Sequence, residues 1–255
     1  MYIIPFFVSS LLSRTCQIGP GPNQIHETIY TIRFSCQVNN ELILLSILPL
    51  GQDIMVGGTS VSSTTVEWVM AELMHRPEIK QRVQQELEKV VGRDHIVDES
   101  YIPKLHYLRA VIKESLRLHA VVPLLVPRVP SQPCVVSGYL IPKGAHVITN
   151  VWAIHMDPKV WDDPSEFRPE RFLTTNSTRE FSFFPFGSGR RRCAGLPLVE
   201  RMLPLVVATL LHAFEWQLPE GVKFDLCERP GVTLTKERPV LAIPTPRIAI
   251  SELYN

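Results

Sequence analysis

Three observations predict a mainly α fold with small β-sheets, of the α+β class. Apolar residues recur at helical spacing over Asp53–His75, over Pro77 to about Val91 and over 103–119, with prolines at the boundaries. A last apolar helix is predicted from about Leu196 to Phe214. Strand-like patterning is confined to short pieces within residues 133–150 and 232–243.

The first fifty residues read as an irregular leader, with turns at Pro20–Asn23 and Asn39-Asn40 and no sustained period between them. Asp53–His75 is the first helix and ends ahead of Pro77. Pro77 opens a charged amphipathic helix, with Val83 and Leu87 on one face and Glu86 on the other, stopped by Gly92. A third helix spans 103–119. Short strands are expected at Cys134–Ser137, Gly138–Pro142 and Ala145–Val151. Residues 156–192 form a long loop region rich in Pro, Asp, Phe and Arg, the kind of segment that carries function in a compact domain. After the last helix, Val232–Leu234 and Val240–Ile243 are expected to pair as a terminal hairpin.

With 26 Lys plus Arg against 25 Asp plus Glu, the formal charge of +1 gives no electrostatic case for nucleic acid. Hydrophobic residues make up 45% and charged residues 20%, which excludes a disordered chain and a collagen-like chain. The five cysteines, at 16, 36, 134, 193 and 227, contain no Cys-x-x-Cys pair, so a disulfide framework and a structural zinc site are not expected. No segment reads as a convincing membrane anchor: Leu42–Leu50 is apolar but less than half the ~20 residues a crossing needs.

The sharpest local feature is Phe186-Gly-Ser-Gly-Arg-Arg-Arg-Cys-Ala-Gly195, immediately before the last helix. Its glycines let backbone N–H groups approach a ligand closely. Cys193 sits at the helix N-terminus beside three arginines, a setting that favours an anionic sulfur. A thiolate with arginines and apolar Phe186 suits haem, which has one axial iron ligand, two propionates and a flat apolar face. The other chemistry open to Cys193 is thiol hydrolysis with a histidine partner. The eight histidines show no spacing that selects one, and His119 and His212 read as packing residues on helices.

The segment resembles the Phe-x-x-Gly-x-Arg-x-Cys-x-Gly signature of the cytochrome P-450 family, matching it at Phe186, Gly189, Arg191, Cys193 and Gly195. Two further motifs follow the family's order. Glu114-Ser-Leu-Arg117 places a carboxylate and a guanidinium on one helix face, and Pro169-Glu-Arg-Phe172 supplies Arg171. The resemblance implies that Glu114, Arg117 and Arg171 form a buried ion cluster behind the haem. It implies the C-terminal half of the haem domain over residues 51–255, with 1–50 as leader. Cys193 is then the axial ligand of haem b, and Arg128 and Arg191 are candidate propionate partners. The apolar segments Val121–Val126 and Val232–Leu234 become substrate-facing loops.

The family further implies a monooxygenase of the plant microsomal type, inserting one atom of O2 into a lipophilic terpenoid or phenolic. Its electrons come from NADPH through a flavoprotein reductase, at the cytosolic face of the endoplasmic reticulum membrane. Family members carry several hundred residues ahead of the first helix matched here, so the anchor and much of the substrate cover are expected to be missing. That helix also departs from the family. Plant members read Gly-Gly-Thr-Asp-Thr, and this chain reads Gly57-Gly58-Thr59-Ser60-Val61. Ser60 and Val61 stand where an acid–alcohol pair relays protons, Ser60 has no titrating carboxyl, and Thr59 points about 100° away from Ser60. Pro204 inside the last helix removes a backbone bond. The runner-up expectation is therefore a truncated, catalytically impaired haem-binding remnant.

Overall fold

A computed structural model describes residues 41–174, 182–222 and 224–248. The leader expected over 1–50 lies outside the described residues up to position 40. From Glu41 the chain is helical.

Helix α1, Glu41–His75, begins twelve residues before the expected Asp53. It runs through Pro49 and Gly51, two residues that break a helix pattern when only local preference is weighed. Trp68, Val69, Met70, Ala71 and Leu73 are buried on successive positions, so the C-terminal half of α1 is a core helix covered on all sides. It stops where Pro77 begins α2, Pro77–Val90. Val83, Gln84 and Leu87 form the buried face of α2, and Gly92, at φ +87°, turns the chain away.

The third segment divides. Ile102–Lys104 is a short 3-10 turn, Leu105 leaves the helical region, and α3 proper is His106–Leu118. Leu105 offers no side-chain cap, and Glu86 of α2 replaces it. The Glu86 carboxylate accepts the Tyr107 and Leu108 amides at 2.8 and 2.9 Å.

Strands β1, Cys134–Val136, and β2, Tyr139–Ile141, form an antiparallel hairpin. Ser137 and Gly138 both have positive φ, as a two-residue turn of the primed type requires. The strand expected over Ala145–Val151 is not formed. Val147 makes a single bridge to Arg128, and Val151 starts the short helix α4, Val151–His155, capped by the Asn150 side chain on the Ala153 amide. Two 3-10 turns, Pro169–Phe172 and Gly189–Arg191, interrupt the long loop region.

Helix α5, Leu196–Ala213, continues unbroken through buried Pro204. It ends one residue short of the expected Phe214, which is extended and opens β3, Phe214–Gln217. The expected terminal hairpin is corrected. β4, Glu228–Arg229, pairs with β5, Thr235–Lys236, and β3 pairs with β6, Ile243–Pro246. The Pro230-Gly231 turn closes β4 on β5, whereas prolines at 244 and 246 suit β6 to the edge of a two-stranded sheet.

The core lies where α1, α2, α3 and α5 meet, around Trp68, Leu73, Leu87, Leu108, Val111, Val207, Leu211 and Trp216. Leu196–Ala213 is, among the described residues, the helix long and apolar enough to cross a bilayer, but half of it is buried. Leu203, Val207, Ala208 and Leu211 account for that apolarity as core packing.

Candidate functional site

The loop before α5 is shaped by its own backbone. Gly187, at φ +70°, closes a turn on the Phe184 carbonyl, and Gly189, at φ +66°, starts the 3-10 turn. The Cys193 amide then donates to the Phe186 carbonyl at 3.0 Å, folding residues 186–193 into a closed finger. The amides of Leu198 and Val199 donate to the Gly195 carbonyl as α5 begins. A methyl group placed on Gly195 would lie 3.7 Å from the Cys193 sulfur, so the helix start packs directly against it. Cys193 is a free, exposed thiol, and Phe186 is half-buried against the core.

Residues 121–128 run beside this finger. The Arg128 guanidinium donates to the Arg191 carbonyl at 3.1 Å, and the Leu125 side chain faces Gly187. Leu125 has φ +50°, a position bulky residues avoid, at a cost of about 1–3 kcal/mol that surrounding contacts must offset. Leu234 connects to the same segment: its amide donates to the Val121 carbonyl at 2.8 Å, and its carbonyl accepts Trp68 Nε1 at 3.0 Å. The two apolar loops are thus tied to each other and to α1. Val126 and Val232, 69% and 91% exposed, leave apolar surface open there.

Behind the finger, Glu114, Arg117 and Arg171 converge, all buried. Arg117 grips Glu114 with two bonds of 2.8 Å, from Nε to Oε2 and from Nη2 to Oε1. Glu114 Oε1 also accepts Arg171 Nε at 3.3 Å and the Arg168 amide at 2.8 Å. Arg117 spends its remaining donors on the carbonyls of His155, Pro164 and Glu166. Arg171 donates to the Asp163 carbonyl. One carboxylate and two guanidiniums therefore pin α3, α4 and the loop 163–171 together.

The connection from this cluster to the finger runs through His155, which the sequence did not single out. Its carbonyl takes Arg117, its Nε2 accepts the Phe184 amide at 3.3 Å, and its ring stacks on Phe183. No local spacing signals such a contact. Burial, with the Arg117 charge added, pushes the imidazole pKa down to about 4 from its ordinary 6.5. Between those values the unfolded chain binds a proton that the folded chain refuses. This contribution to stability is intact above pH 6.5 and is lost as the pH falls, by about 3 kcal/mol at pH 4. Urea unfolding at neutral pH and near pH 4 should show that loss in the native chain, and His155→Phe should lack it.

Gly57, Gly58 and Ser60 lie exposed on α1, and Val61 is half-buried. A side chain on either glycine would meet nothing within 4 Å, so these positions leave space rather than relieve a clash. The Thr59 hydroxyl is turned back onto the Met55 carbonyl at 2.6 Å. Among the described residues, no hydrogen bond or ring contact joins this stretch to the Cys193 finger. The large cavity beside the finger, of about 780 Å³, lies between α3, residues 183–189 and α5. Arg109, Lys113, Arg192 and Glu200 rim it, and Cys193 is not in its wall. Cys193 is exposed outside that cavity.

Haem can be weighed against this chemistry. The donor set is one free, exposed sulfur with no hydrogen-bond partner among the described residues, a guanidinium held against the same loop and exposed apolar side chains on the adjoining segments. Among the described residues no cluster of three or more His, Cys, Asp or Glu could hold a bare metal ion. A prosthetic group that brings its own four ligands and asks the protein for one soft donor fits these residues. The thiol hydrolase alternative lacks its base, since no described histidine contacts Cys193; His155 and His212 are engaged with backbone groups and His119 with carboxylates.

The family description "Cytochrome P450" matches residues 36–243. The chain belongs to the cytochrome P450 family. It is 47% identical to a flavonoid 3'-monooxygenase of Crocosmia x crocosmiiflora, over 77% of this chain and 41% of that protein. It is 44% identical to a geraniol 8-hydroxylase of Swertia mussotii, over 76% of this chain and 40% of that protein. A zebra fish cytochrome P450 solved with abiraterone superposes with a TM-score of 0.71 at 40% identity, covering 77% of this chain and 46% of that one. The chain thus spans less than half the length of the curated relatives it matches. Membership in the cytochrome P450 family brings haem as cofactor, and the plant relatives named are monooxygenases and hydroxylases.

Proposed function

We propose that this cytochrome P450 chain is the haem-thiolate part of a monooxygenase, in which Cys193 would hold the haem iron and a lipophilic plant metabolite, a flavonoid or a terpenoid, would be the substrate. The carrying observation is the finger itself: a free, exposed cysteine just ahead of α5, its amide donating to the Phe186 carbonyl, in a loop whose Arg191 carbonyl accepts Arg128. This part spans residues 51–255, starting inside a first helix that begins at Glu41.

Haem bound here supplies the activation of O2 for insertion of one oxygen atom into a C–H bond. Cys193 would hold the haem iron, and its thiolate would supply electron density to it. Arg128 and Arg191 neutralise the propionates. Gly189 supplies the positive φ that the finger turns on, Gly195 lets the helix start pack against the Cys193 sulfur, and Phe186 gives the finger's edge an apolar wall. Glu114, Arg117 and Arg171 hold the finger in place from behind. Gly57 and Gly58 leave room for O2 and substrate, and Val121–Val126 and Val232–Leu234 provide apolar contact for the substrate. Electrons come from NADPH through a flavoprotein reductase, at the cytosolic face of the endoplasmic reticulum membrane.

Ser60 and Val61 favour a second reading, a haem-binding remnant impaired in oxygen activation. Neither side chain supplies a proton at neutral pH. The double change Ser60→Asp with Val61→Thr separates the two readings. With haem, NADPH and reductase supplied, the monooxygenase reading expects hydroxylated flavonoid or geraniol from the native chain, and the double variant should raise product per NADPH at least about tenfold. Product from neither chain, although both take up haem, supports the remnant and counts against the monooxygenase.

A further inference from the structure

Away from the finger, a second ionic cluster is centred on buried His119. This residue closes α3, and its ring lies flat on Trp68 of α1, with centroids 3.8 Å apart and planes 7° from parallel. Nε2 is 2.6 Å from Glu72 Oε1, and Nδ1 is 2.8 Å from Glu228 Oε1. A neutral imidazole has one N–H and can donate to only one of these carboxylates, whereas the imidazolium donates to both. Burial works to strip the ring of its proton, but the bonds and charges of Glu228 and Glu72 outweigh it, and the pKa is raised. Three other charged groups face the cluster. Arg76 of α1 pairs with Glu72, and Lys236 of β5 reaches to 5.2 Å from the Trp68 ring centroid. Glu67 of α1, whose carboxylate accepts the Val240 amide, lies within the field of Lys236.

The partners of His119 make it a junction. Glu228 opens β4, and β4 pairs with β5 across residues 230–234. The far end of that loop, Leu234, is bonded to Val121, two residues beyond His119, and to Trp68, the residue under the His119 ring. One short segment, 119–121, therefore fixes both the base and the end of the β4–β5 loop.

We propose that His119 is a positioning residue for the substrate-facing loops: clamped between Glu72 and Glu228, it holds 121–126 and 232–234 against α1 and so sets which lipophilic ligands the site admits. The ligand preference rests on the monooxygenase reading, whereas the clamp does not.

Hydrogen exchange on the full chain, with and without added haem, reads the clamp at the Leu234 amide. Its protection factor should be steady at mildly acidic pH. It should fall at least about tenfold as the pH rises through the titration of His119, while core amides of α5 stay unchanged. Glu228→Gln, at a partly exposed partner, should move that fall to lower pH. His119→Gln, which donates to one carboxylate only, should give low protection at every pH. If His119→Gln does not fold, Glu228→Gln carries the test alone. Leu234 protection that is flat with pH and unmoved in Glu228→Gln overturns the clamp.

The ligand preference is read from the Soret shift of the haem-loaded chain with geraniol and with a flavanone. The ratio of the two dissociation constants should change at least about tenfold in Glu228→Gln, and an unchanged ratio overturns this part. Failure to take up haem overturns the monooxygenase reading and the ligand preference with it, while the exchange readout of the clamp stands.

Discussion

Glu114→Ala is expected to lower the unfolding free energy by about 3–5 kcal/mol, because it strands two guanidiniums in the interior. Glu114 is wholly buried and accepts bonds from Arg117, Arg171 and the Arg168 amide. Arg117 is itself wholly buried and cannot shed its charge. Its remaining acceptors are backbone carbonyls and the Met156 sulfur, which carry no compensating charge. A domain of this size is stable by only about 5–15 kcal/mol, so the loss removes much of the total. Glu114→Gln keeps the shape and one acceptor oxygen and should fall between native and alanine. Urea unfolding followed by circular dichroism measures both; a loss under about 1 kcal/mol for alanine would show that the cluster is solvated and not a structural pin.

The same substitution reaches the finger. Arg117 holds the His155 carbonyl, and the His155 ring holds the Phe184 amide. Losing Glu114 frees Arg117 to swing, and haem affinity should drop even where the variant still folds. The cluster's value in this fold is geometric: it holds the segment 183–193 at a set distance from α3.

Part of this arrangement is legible in the sequence because it is local. A Glu and an Arg three apart on a helix share a face whatever the rest of the chain does, and Glu114 and Arg117 do so. Pro77 and Gly92 mark the ends of α2 because their backbone restrictions act on the spot. The glycines of the finger announce a tight loop for the same reason. What the sequence hides is set at long range. α1 passes through Pro49 and Gly51, against the local preference of both residues. β5 pairs with β4 rather than with the more strand-prone segment near Val240, a choice that the Pro230-Gly231 turn decides against local propensity. His119 finds Glu72 and Glu228 at separations of 47 and 109 residues, and His155 finds Phe184 at 29. No periodicity encodes such meetings.

Cys193→Ser is expected to abolish thiolate-type haem ligation altogether. Among the described residues the sulfur has no disulfide or hydrogen-bond partner, and a serine hydroxyl in its place is a poor ligand for haem iron. Because the side chain is exposed and unbonded, the substitution should leave the unfolding free energy within about 0.5 kcal/mol of native. Loss of ligation without loss of fold therefore assigns the effect to the iron bond itself.

The most direct measurement is the absorption spectrum of the haem-loaded chain after reduction and addition of carbon monoxide. The native chain should give the red-shifted Soret band of thiolate ligation, and Cys193→Ser should lose it completely. A native band at the position given by imidazole ligation, or a red-shifted band that survives Cys193→Ser, would contradict Cys193 as the iron ligand.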